Sequence, residues 1–176
     1  WGYILEIWAW LGQDSRYFHE QGYKVLSTDF SIDVLGKNKE RSQSHMVTWT
    51  YQIMELDVSK PLPFEENTFD VIYAHLSLHY FSKEQTNAIL SEIQRVIKRG
   101  GIFATLLNTK TDPEYGKWEN IEDDFFLFWS IKKRFHSRES AKMQFSPYFE
   151  TILVDDLWET YKDSAKWIHN LIRFVW

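Results

Sequence analysis

The fold of this chain is decided by residues 3–29, which read YILEIWAWLGQDSRYFHEQGYKVLSTD. The mostly apolar run Tyr3–Ile7 is typical of a buried strand. Gly12–Gln21 follows as a predicted helix, and Tyr23–Thr28 is a second buried strand that ends at Asp29. A strand, a helix and another strand in this order form the unit from which parallel sheets are built.

The same alternation continues to about residue 108. Two patterns mark helix starts: Ser31 is a predicted cap, and Ser82–Gln85 has the spacing of a capping box. We expect Gly100 and Gly101 to end the helix that begins at Ser82. The complete prediction for this region is a helix from Ser31 through about Ser42, a helix from Ser82 to the two glycines, and strands Trp49–Leu56, Phe69–Ala74 and Ile102–Leu107.

The last third of the chain has a different pattern. Glu114–Ile131 is acidic and then aromatic, and we expect a helical insert there. Ser137–Tyr148 is a predicted helix, and Thr151–Trp158 and Ala165–Phe174 are predicted to pair as an antiparallel hairpin. The sequence therefore predicts one α/β domain over residues 1–176, with a doubly wound, Rossmann-like, mostly parallel sheet of about seven strands and an antiparallel C-terminal hairpin.

Composition excludes several classes of protein. The 176 residues are 44% hydrophobic and 26% charged, which is enough apolar material for a packed core. The net charge of -5 argues against binding to nucleic acid, and the absence of Cys excludes disulfides and thiolate chemistry. No apolar run reaches the length of a membrane span and no signal peptide is visible, so we expect a cytoplasmic protein without a membrane partner.

Acidic residues stand at successive strand ends. Glu6 lies in the first strand, Asp29 ends the second and Asp57 follows the third. Ligands of open parallel sheets bind at the carboxyl ends of the strands, where carboxylates can accept hydrogen bonds from ribose hydroxyls or an exocyclic amine. For each Asp alone, a turn or helix cap is an equally good interpretation, and the ordered set is what favours a nucleoside site.

The ordered series of motifs resembles the class I S-adenosylmethionine-dependent methyltransferases, of the type that acts on small molecules. The resemblance covers nearly the whole chain and implies their seven-stranded sheet, S-adenosylmethionine as cofactor and methyl transfer to a small-molecule acceptor. The matching stretches are Ile4–Ile7, Gly12–Ser15, Val25–Asp29, Leu56–Asp57, Pro63–Phe64, Phe69–Ile72, Ser77–Tyr80 and Gly100–Ile102.

The resemblance also implies roles for individual residues. Asp29 would bind the ribose hydroxyls and Asp57 the adenine amine, while Glu6 would support the cofactor loop that ends at Gly12. Around the adenine ring the resemblance implies Leu56, Val58 and Phe30. Ala74 and His75 would line the methionine end of the cofactor. His79, Tyr80 and Tyr115 would face the methyl acceptor.

The chain departs from the family in its first motif. Residues 6–12 read EIWAWLG, so Trp8 and Trp10 stand where the family has glycines. Glycine there permits a positive φ and a close approach to the ligand, and an indole is expected to occupy cofactor volume. The sequence therefore predicts weak cofactor binding by this chain, and the alternative function is a non-catalytic or engineered scaffold or binding domain. A nucleotide-binding oxidoreductase is a weaker alternative, since its Gly-x-Gly-x-x-Gly is also absent.

Two histidines are candidates for a catalytic base. His75 and His79 can titrate near neutrality, and a hydrogen-bonded structural role is the alternative for each. Their four-residue spacing lacks the Glu of a metalloprotease motif, so no metal is predicted. No Asn-Pro-Pro-aromatic motif follows the fourth strand, which argues against a DNA base methyltransferase.

Three further expectations concern the surface. The aromatic run Phe125–Trp129 is interpreted as core or as a lid over an acceptor pocket, and Lys132–Arg134 as a solvated basic face. Because the chain begins at Trp1 rather than Met, we expect an upstream segment to be missing. The apolar surface that its absence would leave makes self-association a further expectation.

Overall fold

A computed structural model of the chain describes residues 2–42, 50–158 and 171–176. The helices in these residues are α1 (Gln13–Glu20), α2 (Ile32–Ser42), α3 (Lys83–Val96) and α4 (Arg138–Phe145), with a short 3-10 helix at Leu78–Tyr80. The strands are β1 (Tyr3–Glu6), β2 (Lys24–Asp29), β3 (Tyr51–Glu55), β4 (Phe69–His75), β5 (Ile97–Leu107), β6 (Glu119–Glu122), β7 (Phe125–Phe128), β8 (Ile131–Arg134), β9 (Leu153–Trp158) and β10 (Leu171–Val175).

Seven of the strands form one mixed sheet in the order β3-β2-β1-β4-β5-β10-β9. β1 pairs in parallel with β2 and with β4, β2 pairs in parallel with β3, and β10 is antiparallel to both β5 and β9. This Rossmann-like arrangement confirms the predicted fold class, including the antiparallel C-terminal strands. The chain order reverses between β1 and β4, which is the position where open α/β sheets bind ligands.

The local signals for helix starts are confirmed. The backbone N–H of Gln85 donates to Ser82 Oγ and that of Ser82 donates to Gln85 Oε1, both at 3.1 Å, which completes the capping box. Ser137 caps α4 in the same reciprocal way with Ser140. The predicted helix ends are less accurate than the predicted starts, since α4 ends at Phe145 rather than at Tyr148.

Two predicted boundaries fall partly on residues that lie outside the described ranges. Trp49, the expected first residue of the third strand, is one of them, and β3 begins at Tyr51 in the structure. Residues 165–170, the expected start of the last strand, are also outside, and β10 is described from Leu171.

The prediction that Gly100 and Gly101 end the third helix was wrong. α3 ends at Val96, and both glycines lie inside β5. Gly100 has a φ of 74°, and a Cβ on Gly101 would lie 2.8 Å from the backbone oxygen of Asp70. The glycines therefore permit an irregular strand that passes close to β4, rather than a helix stop.

The predicted helical insert at Glu114–Ile131 was also wrong. This region contains β6 and β7, which form a three-stranded antiparallel sheet with β8. The two turns of the sheet contain Asp124 and Trp129, both with a φ of 57°. Consecutive aromatic residues suit a pleated strand, and the two left-handed turn residues interrupt what would have been a helix.

Burial distinguishes between the interpretations given to Phe125–Trp129 and tests the one given to Lys132–Arg134. Phe125 and Phe126 are buried, which favours core for them, whereas Trp129 is 89% exposed. The prediction of a solvated basic face was wrong for most of its length. Arg134 is buried against the Phe125 ring and paired with Glu122, and Lys133 forms an ion pair with Glu114 at 2.8 Å.

Contacts divide the chain into two compact units. The first consists of Trp1–His75 and Ser91–Phe103, and the second of Leu76–Leu90 and Ala104–Trp176. Within the described residues, none of the helices is long and apolar enough to cross a membrane.

Candidate functional site

The loop after β1 is fixed by its neighbours on both sides. The N–H of Ile7 donates to the carbonyl of Tyr73 at 2.8 Å, and the N–H of Ala9 donates to the carbonyl of Thr28 at 2.7 Å. The loop therefore leaves the sheet between the ends of β2 and β4, at the position where the strand order reverses.

Three residues of this loop lie in the left-handed region of backbone conformation. Trp8 has a φ of 56°, Trp10 of 48° and Gly12 of 70°. The backbone thus adopts at Trp8 and Trp10 the conformation for which glycine is the usual residue. A left-handed non-glycine residue costs about 1–2 kcal/mol, so the surrounding hydrogen bonds hold this loop against a local strain.

The two indoles of the loop have different surroundings. Trp8 is half-buried, with its ring centroid 4.9 Å from that of Phe30, while Trp10 is 62% exposed. Phe30 itself is 54% exposed. The Trp8–Phe30 pair therefore lies at the end of β2, next to Asp29.

Asp29 is buried at the carboxyl end of β2 and holds the loop. Its Oδ2 accepts a hydrogen bond from the N–H of Trp10 at 3.1 Å, and its Oδ1 accepts one from the N–H of Ser31 at 3.0 Å. Only 5% of the residue is exposed. Each oxygen keeps a second lone pair, but a ligand could reach it only after the covering groups move.

The end of β3 lies next to β2. The N–H of Leu56 donates to the carbonyl of Asp29 at 2.9 Å, and both Leu56 and Val58 are buried. The Asp57 carboxylate accepts from the Ser59 hydroxyl at 2.6 Å and pairs with Lys60 at 3.1 Å. The hydrogen bond from Ser59 is the main cause that lowers the pKa of Asp57, so this carboxylate is ionised and stabilises its own turn.

Gly12 lies against a buried amide. A Cβ at this position would come within 2.6 Å of both Cγ and Nδ2 of Asn38. Asn38 is fully buried and donates from Nδ2 to Ser27 Oγ at 3.0 Å, while its Oδ1 accepts from the Tyr51 hydroxyl at 3.3 Å. Gly12 therefore has a packing requirement as well as a conformational one.

Beneath the loop, Glu6 is a fully buried carboxyl group. Burial is the main cause that raises its pKa to about 8, and the hydroxyl of Ser15, which donates to Glu6 Oε2, opposes this only in part. The charge of Asp14 raises the pKa further. Glu6 is consequently protonated at neutral pH and serves as an uncharged hydrogen-bonding group under the loop.

His75 and Asp14 form a pair at the end of β4. The Nδ1 of His75 lies 2.8 Å from Asp14 Oδ2, and the two side chains are 23% and 35% exposed. Burial of Tyr73 is the main cause that raises the pKa of its phenol, and the charge of Asp14 raises this pKa further. Ala74, which lies between Tyr73 and His75 in the chain, is fully buried and offers no side-chain surface to a ligand.

The remaining candidate residues belong to the second unit. His79 is buried, and its ring centroid lies 4.1 Å from that of Tyr80, which is 37% exposed. Tyr115 donates from its hydroxyl to Asp124 Oδ1 at 2.8 Å and packs its ring against Phe126. Tyr115 is therefore part of the packing of the three-stranded sheet.

The second unit also contains a cavity of about 530 Å³ that the sequence did not predict. Its lining includes Lys83, Arg134, His136 and Gln144. Burial is the main cause that lowers the pKa of His136 to about 3, with a smaller contribution from the positive charge of Arg134. In the described ranges, no group of His, Asp or Glu side chains is arranged to hold a metal ion.

Comparison with known proteins identifies the family. The family model described as methyltransferase domain matches residues 9–105. The chain is 31% identical over 172 residues to a sterol 24-C-methyltransferase of Saccharomyces cerevisiae, covering 96% of this chain and 44% of that protein. It is 32% identical over 101 residues to an uncharacterised methyltransferase of Synechocystis, covering 57% and 44% respectively.

Solved structures agree on the fold. An S-adenosylmethionine-dependent methyltransferase from Methanosarcina mazei superposes with a TM-score of 0.83 at 16% identity, covering 99% of this chain and 91% of that one. The 1,6-didemethyltoxoflavin-N1-methyltransferase of Burkholderia thailandensis, solved with S-adenosylhomocysteine, superposes with a TM-score of 0.73 at 17% identity, covering 99% and 69%.

The chain belongs to the methyltransferase domain family, in agreement with the resemblance, and it shares its fold with solved S-adenosylmethionine-dependent methyltransferases. It spans about half the length of the curated relatives that it matches.

Proposed function

We propose that this chain is the cofactor-binding part of an enzyme that transfers a methyl group from S-adenosylmethionine to a small-molecule acceptor. The observation that carries the proposal is the loop of residues 7–12, held in left-handed conformations at the point where the strand order reverses, with Asp29 bonded to it. A loop of this geometry, followed by α1, is how doubly wound folds receive a nucleoside cofactor.

The backbone around this loop fits the cofactor. Asp29 and Asp57 follow neighbouring strands, so one carboxylate can accept from ribose hydroxyls and the other from the adenine amine. Gly12 lies directly before α1, and Glu6 accepts a hydrogen bond from Ser15 in the first turns of that helix. S-adenosylmethionine would supply the electrophilic methyl group, and these residues would bind and orient it.

The side chains of Trp8 and Trp10 do not fit a bound S-adenosylmethionine. The Trp8–Phe30 ring pair lies at the end of β2, and Asp29 is 5% exposed beside it. We infer that the indole of Trp8, which packs against Phe30 directly after Asp29, must move before this carboxylate can accept from a ligand. Trp10, being mostly exposed, presents a smaller barrier. We therefore propose that this chain, with Trp8 and Trp10 in the loop, binds S-adenosylmethionine weakly.

The alternative function is a non-catalytic or engineered scaffold or binding domain of the same fold. The observation in its favour is that both oxygens of Asp29 already accept backbone hydrogen bonds, from Trp10 and from Ser31. Titration calorimetry with S-adenosylhomocysteine separates the two functions. Binding in the micromolar range supports the enzyme, and no heat at millimolar ligand supports the scaffold.

The methyl acceptor that we propose is a class of molecules. Curated relatives include methyltransferases named for sterols, for phosphoethanolamine and for malonyl-[acyl-carrier protein]. Their diversity supports a small-molecule or carrier-bound acceptor and no single compound.

A further inference from the structure

We propose that Asp14 and His75 form a proton-transfer dyad, in which Asp14 positions His75 and the Nε2 of His75 accepts a proton from the methyl acceptor. This inference rests on the proposed function and deepens it. It limits the acceptor to molecules whose methylated atom carries a removable proton, such as a hydroxyl or an ammonium group.

The Asp14–His75 pair lies beside the point where the strand order of the sheet reverses. His75 is the last residue of β4, which pairs with β1 beside the point where the strand order reverses. Asp14 lies in the first turn of α1, directly after the loop proposed to receive the cofactor. Residues 61 positions apart in the chain therefore meet at the edge of the sheet where ligands of this fold bind.

The imidazole of His75 is oriented by Asp14. Nδ1 lies 2.8 Å from Asp14 Oδ2, so a carboxylate holds the proton on that nitrogen. In the part of the chain that the structure describes, the ring forms this hydrogen bond and an edge contact with Tyr73, and Nε2 has no hydrogen-bond partner. With 23% of its side chain exposed, His75 can present the lone pair of Nε2 to a bound molecule. A base oriented by a third group in this way is the arrangement of nucleophile-activating dyads.

Other groups also face the pair. The ring of Tyr73 lies edge-on to the imidazole of His75, with 6.1 Å between the two ring centroids. Glu6, behind Asp14, is protonated at neutral pH and does not compete for the proton of His75. Arg16, on the same helix as Asp14, donates from Nη1 to the carbonyl of Leu11 at 2.7 Å. Asp14 is therefore the anionic partner of His75 in this cluster.

The proton step is balanced within the dyad. The O–H or N–H bond of the acceptor breaks, its electron pair stays on the acceptor atom as the nucleophile, and the proton forms a bond to Nε2 of His75. The imidazolium that results is stabilised by the carboxylate of Asp14 at 2.8 Å. General-base assistance of this kind contributes about 100-fold to 10,000-fold in rate.

The test measures the reactivity of Nε2 and does not need a known acceptor. Diethyl pyrocarbonate acylates neutral, accessible imidazole nitrogens, and the absence of Cys in the chain removes the main competing nucleophile. Mass spectrometry after digestion gives the rate at each histidine. His79 and His136, both buried, serve as internal references, and His19, whose Nε2 lies 3.1 Å from the Thr50 hydroxyl, is a partnered reference.

We expect His75 to react at least tenfold faster than His79 and His136 at pH 7, with acylation at Nε2. Asp14→Asn should lower the rate at His75 several-fold, since the amide can donate its N–H to Nδ1 and so leave the ring proton on Nε2. The matched control is Asp33→Asn, which removes an exposed acidic residue from the first turn of α2 and should leave the rate at His75 within twofold. Nitrogen-15 NMR of the parent should show the proton on Nδ1.

Either of two results overturns the dyad. One is an equal rate at His75 in the parent, Asp14→Asn and Asp33→Asn, with melting temperatures that show all three to be folded. The other is a proton on Nε2 of the neutral ring in the parent. Titration of the same samples with S-adenosylhomocysteine reports separately on the proposed function, so a chain that binds no cofactor can still pass or fail the test of the dyad.

Discussion

Replacing Gly12 by Ala should destabilise the protein through a specific contact. Gly12 has a φ of 70°, and a Cβ there would overlap the buried amide of Asn38. The left-handed conformation costs Ala about 1–2 kcal/mol. Moving Asn38 away would weaken its hydrogen bonds with Ser27 and Tyr51, at about 1 kcal/mol each. Because small shifts relieve part of the clash, we expect Gly12→Ala to lower the free energy of unfolding by about 3 kcal/mol in total.

Thermal unfolding measures this loss. For a domain of this size, each kcal/mol corresponds to about 2–4 °C in melting temperature, so Gly12→Ala should lower it by about 6–12 °C. The matched control is Gly36→Ala in α2, where an added Cβ has nothing within 4 Å. That change should raise the stability by about 0.5–1 kcal/mol, because Ala is the better helix former.

A double-mutant cycle isolates the contact. In an Asn38→Ala background, Gly12→Ala should cost only the conformational strain of about 1–2 kcal/mol. A loss below 1 kcal/mol for Gly12→Ala in the parent would refute the packing argument. An equal loss in both backgrounds would show that Asn38 is not the residue responsible.

Two further predictions concern pH, and both follow from buried titratable groups. Glu6 has a folded pKa of about 8 against 4.5 in the unfolded chain, so the unfolded state loses its proton first and stability falls as the pH rises from about 5 to 8, by up to about 1.4 kcal/mol per pH unit. Glu6→Gln should remove this slope in denaturant titrations, and an unchanged slope would place the effect elsewhere. His136 has a folded pKa of about 3 against 6.5, so the unfolded state binds a proton first and stability is lost as the pH falls from 6.5 toward 3. His136→Phe should make acid unfolding begin at a lower pH, and the idea fails if the acid midpoint does not move.

The order of strands and helices could be predicted from the sequence because each element carries its own local signal. The apolar strands Tyr3–Glu6 and Lys24–Asp29 and the capping box at Ser82 need no long-range information. The insert could not be predicted in the same way. Phe125–Phe128 has no apolar–polar alternation, and its flanking turns use Asp124 and Trp129 in left-handed conformations without a glycine to mark them.

The candidate site was predictable only in its outline. The acidic residues Glu6, Asp29 and Asp57 are predicted as site residues because each ends or follows a strand, and that pattern is local. The contacts that define their environment join distant residues, as Asp14 does with His75 and Gly12 with Asn38, and no local pattern indicates such pairs. The burial of Asp29 likewise depends on how the loop folds back over β2.

The central claim is that this loop is a cofactor site which Trp8 and Trp10 obstruct. Its most direct test is calorimetric titration of S-adenosylhomocysteine into the parent and into the variant carrying both Trp8→Gly and Trp10→Gly. We predict at least a tenfold tighter dissociation constant for the variant, because removal of both indoles, including the ring packed against Phe30, leaves room for the cofactor. Equal, tight binding by the parent would contradict the obstruction, and no binding by a folded variant would contradict the cofactor site itself.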